Sequence, residues 1–246
     1  PIEARGLVRT LNTLFDRVAR RISSKDEFIS NAAHQLRNPV AGVLALAEAV
    51  QSAPNETAAR KRSAELVDAA RQASELTNQL LSFERASGTD VARAGAIIDL
   101  RALTEEIGDD FRARHAANDV TLSCELPGSG VIVHGDPVML REAILNLLTN
   151  ALLHGGPQLT SISLALSKDV SFATLHVKDD GVGIRPDRRV EAISRFGQIG
   201  TGPGSGLGLA IAAKVMKNHD GTLDIGESAE GGLIILTLPL AKGTVS

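Results

Sequence analysis

Two domains of different class are predicted: an antiparallel helical hairpin that pairs with a second copy into a dimeric four-helix bundle, then an α+β two-layer sandwich. Three observations predict this. Apolar and small residues in heptad spacing run through Leu11, Phe15, Val18, Ile22, Ile29, Ala32, Leu36, Val43, Leu46 and Val50. After a break at Ala53-Pro54-Asn55 the seam returns at Leu66, Ala70, Ala73, Leu76, Leu80 and Phe83. Beyond a small-residue stretch, Ser87 to Gly95, strand-like and helical runs follow one another.

The first helix is expected from about Ala4 to Val50, roughly 70 Å at 1.5 Å per residue. Asn55 or Thr57 can cap a second helix to about Arg85. So short a turn makes the two antiparallel, and a lone hairpin leaves much of its seam uncovered, so a homodimer is expected. The expected limits are 1–24 for a lead helix, 25–87 for the hairpin domain, 88–98 for a linker and 99–242 for the sandwich. Within the sandwich, a helix is expected at Leu100–Ala117, then strands near Val120–Leu126 and Val131–His134. Asp136-Pro137 starts a helix to about His154, with Asp as cap and Pro at the first helical position. Strands near Ser161–Leu166 and Ala173–Val177, a helix after Ser205, and strands near Thr222–Glu227 and Leu233–Leu238 complete it.

Composition narrows the function classes. A net charge of -3 and 2% aromatic residues, with no Trp or Tyr, argue against a nucleic-acid partner. With 246 residues, 43% of them hydrophobic, the chain can bury a real core. Cys124, the one cysteine, alternates with Val120, Leu122 and Leu126 and reads as a buried structural thiol in a reducing compartment. No apolar run reaches the roughly 18–20 residues that span a bilayer. The chain begins at Pro1 without methionine, so it is expected to be a piece of something longer.

Three motifs in the second domain point to a nucleotide. Asn146 and Asn150 lie four apart, on one face of the helix after Asp136. Amide oxygens suit Mg²⁺, which shares its shell with phosphates and water; alone, two such residues are as well explained by a wet helix face. Asp179-Asp180-Gly181-Val182-Gly183-Ile184 follows a strand. Its glycines allow close approach of a flat ligand and its carboxylate can accept from an exocyclic amine, although an Asp-Gly turn is also common in loops. Gly197, Gly200, Gly202, Gly204, Gly206 and Gly208 open into the apolar pattern Leu209-Ala210-Ile211. A glycine-rich loop entering a helix presents free N–H groups to phosphate.

In order and spacing these motifs resemble the sensor histidine kinases of two-component signalling. Asn146–Ala151 looks like their N box and Asp179–Ile184 their first glycine box. Arg195-Phe196 looks like the end of their F box, Gly204–Leu209 their second glycine box, and AAHQLRNPVAG, from Ala32 to Gly42, their H box. Residues 3–24 resemble the last helix of a HAMP relay module and a signalling helix. The resemblance implies a catalytic domain of the Bergerat (GHKL) type that binds ATP with Mg²⁺ on Asn150. Asp179 would take the adenine amino group, and Gly181 and Gly183 would shape the floor. The stretch from 197 to Gly206 would close as a lid, with Gly204, Gly206, Leu207 and Gly208 at its end. His34 would be phosphorylated and the phosphoryl group passed to a response regulator; Asn38, one turn away, is placed to support dephosphorylation. A membrane-anchored sensor whose cytoplasmic portion this is follows from the same resemblance.

Related ATPases carry glutamate four residues before the Mg²⁺-binding Asn. Here Asn146, an amide, cannot take a proton from water, so the phosphoryl group is expected to go to His34, whose neutral imidazole is a competent nucleophile near neutral pH. His34 lies off the heptad seam and is expected to face solvent. Pro39 removes the helical partner of the Gln35 carbonyl, which is expected to bend the helix locally. The chain departs from the family at Gln35, where an acidic residue usually stands, and at Leu153, where Lys or Arg reaches the phosphates; His154 or Arg185 can compensate for the second. A non-catalytic dimeric scaffold that binds ATP and a regulator is the alternative reading of these departures. His115, His134, His176 and His219 are expected to be structural or solvated.

Overall fold

The computed structural model describes residues 29–87, 96–194, 197 and 206–241. The expected lead helix and HAMP-like stretch up to residue 28, the linker from 88 to 95 and Gly204 lie outside them. The chain divides into two compact units, Pro1–Thr77 and Asn78–Ser246.

In the first unit, α1 is helical through residues 29–51 and α2 spans Glu56–Ser87, whose last turns belong to the second unit. Asn55 caps α2: its Oδ1 accepts from the Ala58 N–H at 2.9 Å. Across the turn the Arg62 guanidinium donates to the Ala49 carbonyl at 2.6 Å. Ala32, Leu36, Val43, Leu46 and Val50 are half-buried, as are Leu66, Ala73 and Leu76 on α2, whereas Ala70 is exposed. Ile29, a member of the expected seam, is exposed (54%), and a second apolar set stays exposed as well: Val40 (59%), Leu44 (61%) and Val67 (48%). The α-helical assignment continues without a break through Pro39.

The second unit contains β1 (Ala96–Asp99), α3 (Leu100–Arg114), β2 (Thr121–Glu125), β3 (Ile132–Gly135), α4 (Pro137–His154), β4 (Ser161–Lys168) and β5 (Phe172–Asp179). A 3₁₀ turn at Pro186–Arg188 leads into the short α5 (Arg189–Ile193); α6 (Gly208–Asn218), β6 (Thr222–Ile225) and β7 (Leu233–Pro239) follow. The main sheet has the order β2-β4-β5-β7-β6, with β2 and β4 parallel and the other pairs antiparallel. Period-two burial gives the sheet one core face, with Ile162, Leu164 and Leu166 on β4, Ala173, Leu175 and Val177 on β5, and Ile234, Leu236 and Leu238 on β7. Helices α3, α4 and α6 bury Ile107, Phe111, Ile144, Leu148, Ile211 and Val215. The last turns of α2 join this unit through buried Leu80, Phe83 and Ala86, and Ser82 Oγ donates to Glu142 on α4 at 2.7 Å.

Strand β1 was not expected; it falls in the stretch read as linker and pairs antiparallel with β3 in a separate ribbon. Its four residues carry no period long enough to identify, and pairing with β3 is what makes them a strand. Helix α3 ends at Arg114, three residues short of the expected Ala117. Cys124 is half-buried rather than buried, because β2 is the sheet's edge strand; the Arg112 guanidinium lies 3.4 Å from its sulfur. Asp136 caps α4 as expected, accepting from the N–H groups of Val138 at 2.8 Å and Met139 at 3.2 Å. His219 is structural: it is buried, and its Nε2 accepts from the Asp136 N–H at 2.9 Å. Its Nδ1 therefore donates to the Val215 carbonyl, 2.7 Å away. One imidazole thereby fastens the end of α6 to the start of α4.

Candidate functional site

Helices α4 and α6, the loop after β5 and the start of β7 enclose a cleft of about 490 Å³, within the range of small-molecule sites. Asn146, Asn150 and His154 line it from α4. Their spacing of four puts them in one stripe about 12 Å long. Asn146 is nearly buried at 7% exposure. Its Nδ2 donates to the Glu142 carbonyl at 3.0 Å, so the oxygen is its free end. Asn150 faces the start of α6, where a Cβ on Gly208 would come within 2.8 Å of both atoms of its amide. Glycine at 208 is therefore what lets the helix entrance close on Asn150.

The two adjacent aspartates have separate tasks. Asp180 accepts from the Thr160 hydroxyl and from the backbone N–H groups of Ser161 and Thr160, with the Ser161 hydroxyl adding a fourth bond. These bonds, the Thr160 hydroxyl first among them, hold its carboxyl far below the usual carboxylate range. Asp180 thus fastens β5 to the start of β4. Asp179 lines the cleft, and its Oδ1 accepts from the N–H groups of Gly181 at 2.9 Å and Gly232 at 3.0 Å. Its Oδ2 has no hydrogen bond among the described residues and is available to a ligand donor.

Of the residues expected from sequence, Asn146, Asn150, His154, Asp179, Gly183, Gly206 and Gly208 line this one cleft. Gly181 and Leu207 do not. Gly181 backs the wall: a Cβ there would collide with the Gly155 backbone, against which the loop is fastened by the Val182 N–H donating to the Gly155 carbonyl at 2.9 Å. Leu207 is fully buried beneath the start of α6. Leu153, exposed at 43%, lines the cleft together with His154 and Arg185. Burial lowers the His154 pKa from its ordinary value. Arg185 is engaged by Asp187 through two bonds of 3.1 Å. Gly232, just before β7, and Ile234, on it, were not expected; the Gly231-Gly232 doublet before a strand signals a turn but not its position beside Asp179.

His34, Gln35 and Asn38 lie on α1, in the other compact unit. His34 is exposed as expected, Asn38 is exposed and Gln35 half-buried. The donor set suits a hard divalent ion that arrives with phosphates: two neutral amides face the cleft, and no cluster of three or more His, Cys, Asp or Glu among the described residues could hold a metal.

Comparisons with known proteins agree on the class. Residues 24–89 match the family described as His Kinase A (phospho-acceptor) domain. Residues 135–242 match the family described as histidine kinase-, DNA gyrase B- and HSP90-like ATPase. The sensor protein QseC of Escherichia coli O157:H7 is 32% identical over 239 residues, covering 94% of this chain and 51% of that protein. The probable sensor histidine kinase TcrY of Mycobacterium tuberculosis is 28% identical over 251 residues, covering 97% of this chain and 52% of that protein. The chain thus spans about half the length of these curated relatives. Among solved structures, the mycobacterial sensor histidine kinase MprB is 30% identical with a TM-score of 0.52, covering 61% of this chain and 99% of that one. The histidine kinase ThkA, solved in complex with the response regulator protein TrrA, has a TM-score of 0.73 at 18% identity, covering 90% of this chain and 64% of that one. A phospho-acceptor helix pair followed by an ATP-using α/β domain, with relatives of that description along almost its whole length, means that the chain belongs to the sensor histidine kinases of two-component signalling.

Proposed function

We propose that the protein binds Mg-ATP in the α4–α6 cleft, transfers the γ-phosphoryl group to His34 and then donates it to an aspartate of a response regulator. The observation that carries this reading is the cleft itself, which collects the amides of Asn146 and Asn150, the free Oδ2 of Asp179 and the glycines at the start of α6. Asp179 Oδ2 would accept from the adenine amino group while Gly181 and Gly232 hold its other oxygen. Asn150 would hold Mg²⁺, which supplies charge neutralisation on the phosphates. Gly208 and Leu209, at the start of α6, line the same cleft, and Gly208 lies against the Asn150 amide.

With an amide at 146, no side chain at that position can draw a proton from water, which disfavours hydrolysis. The acceptor is then the lone pair of a neutral His34 nitrogen. The bond from the γ-phosphorus to the β–γ bridging oxygen breaks, a nitrogen–phosphorus bond forms, ADP leaves, and the other ring nitrogen releases its proton to solvent. Exposure of His34 permits this, and Gln35 can hydrogen-bond the ring without taking its proton.

The exposed apolar set on the hairpin supports a homodimer, since Ile29, Val40, Leu44 and Val67 are left uncovered by the described residues and a second chain would cover them. ThkA, similar in fold, supports a response regulator as the phosphoryl acceptor. Asn38 is proposed to orient water in dephosphorylation of that regulator. On its similarity to proteins named as sensors, we assign the chain to the cytoplasmic portion of a membrane-anchored sensor. No helix among the described residues is long and apolar enough to cross a membrane. Incubation with γ-labelled ATP and Mg²⁺ tests the core of the proposal. Acid-labile, alkali-stable label on the protein is expected; ATP binding without label would mean a scaffold, and steady phosphate release independent of His34 would mean an ATPase.

A further inference from the structure

A second cavity of about 370 Å³ lies against the nucleotide cleft and shares with it the segment Val182–Arg185 and Gly232. Its remaining wall is the turn between β6 and β7, with Pro186 and Arg189 on the other side. The thin partition is backbone against backbone. Gly183 (φ +65°) and Gly231 (φ +72°) adopt the left-handed conformation that favours glycine, and a Cβ on Gly183 would collide with the Gly231 carbonyl. From this same turn Gly232 donates to Asp179 at 3.0 Å. A ligand that moved the turn would move the carboxylate assigned to adenine.

The charge of the cavity is unbalanced in one place. Of the two arginines that line it, Arg185 is engaged by Asp187 at 3.1 Å. Arg189 has neither ion pair nor hydrogen bond among the described residues; its Nε, like that of the neighbouring Arg188, is buried without a hydrogen-bond partner, but Arg188 is ion-paired with Glu191 at 2.7 Å. Buried polar atoms of native proteins nearly always have a partner, and an exception needs an explanation, such as a bound ion or water. Glu227 also lines the cavity but makes no ion pair with Arg189 among the described residues. Ile225, Ala229 and Leu233 add apolar surface.

We propose that this cavity binds a small organic oxyanion through Arg189, and that its occupancy changes nucleotide affinity through the Gly231–Gly232 turn. The binding claim stands on the cavity alone; the coupling rests on the assignment of nucleotide to the neighbouring cleft. Phenyl phosphate and benzoate are suitable probes, since each joins an oxyanion to an apolar body and together they separate phosphate from carboxylate recognition. Calorimetric titration of either probe into the 246-residue chain saturated with Mg-ADP is expected to show one saturable site, abolished by Arg189→Gln and weakened by Arg189→Lys. Arg189→Gln without probe is expected to keep the wild-type ADP affinity, which also reports that it is folded. ADP affinity of the wild type is expected to shift by about fivefold or more and then plateau as probe rises, because coupled sites saturate.

Absence of heat with both probes, or binding that survives Arg189→Gln, would overturn the site. An ADP affinity that falls without limit as probe is added would mean competition in the nucleotide cleft and would overturn it equally. Should ADP fail to bind the wild type, the proposed function fails, while titration of probe into the nucleotide-free chain still decides this one.

Discussion

The two compact units solve the burial problem in opposite ways. Among described residues 29–77, none is fully buried; the best-covered side chains of the hairpin are half-exposed. From Leu80 onward the second unit encloses more than thirty buried apolar side chains between one sheet face and three helices. A unit whose core is complete can present specific unsatisfied groups, such as the Oδ2 of Asp179, without losing its shape. The described part of the hairpin leaves its core incomplete, which fits the proposed homodimer. The proposed nucleotide groups accordingly lie in the sandwich and the proposed acceptor, the exposed His34, in the hairpin.

The strongest break in this comparison is His34→Ala. Loss of all acid-labile label is expected, with ADP affinity by calorimetry unchanged; label surviving the substitution would place the acceptor elsewhere. Next is the paired substitution Val40→Asp with Leu44→Asp, which should shift the mass measured by light scattering from two chains to one. ADP binding, a property of the self-sufficient unit, should persist, and a dimer that persisted would show that the exposed set is not the interface.

A subtler contrast lies between neighbours in one loop. Asp179→Asn removes the charged acceptor of a ligand hydrogen bond, worth about 1.5–3 kcal/mol, so ADP affinity should fall on the order of ten- to a hundredfold. Asp180→Asn should leave ADP affinity nearly unchanged and lower the melting temperature instead. The Asp180 carboxyl is depressed in the folded state, so its contribution is present above the unfolded value, roughly pH 4, and is lost as pH falls toward the folded value. The melting difference between wild type and Asp180→Asn should therefore be full at neutral pH and shrink below about pH 4; a difference that grew with acid would contradict the assignment. The smallest effect is expected from Gln35→Glu. A carboxylate beside His34 can take the ring proton, so the initial rate of labelling should rise severalfold, and an unchanged or lower rate would remove Gln35 from the chemistry.

Much of this was legible because it depends on local rules. Spacing of four puts Asn146, Asn150 and His154 on one stripe of any helix that contains them. Asp136-Pro137 starts a helix by satisfying its free N–H groups wherever it occurs. Alternation located β4, β5 and β7 to within two residues. Legibility failed where the deciding partner lies far along the chain. Strand β1 is a strand because of β3, Cys124 is half-exposed because β2 ends the sheet, and Gly181 is set behind the cleft wall by Gly155.

The linear order of residues was enough for the class of each domain, most of the described heptad seam, the exposure of His34 and most of the residues that gather at the cleft, since periodicity and side-chain chemistry are properties of short segments. The resemblance named Asp179 rather than Asp180; only folding in three dimensions supplied the physical reason. Both are carboxylates in the same turn; Thr160 and Ser161, across the sheet, consume one, and Gly232, from the far end of the chain, aims the other. Which carboxylate remains free for a ligand depends on who donates to its neighbour, and donors so distant in sequence meet only when the sheet has formed.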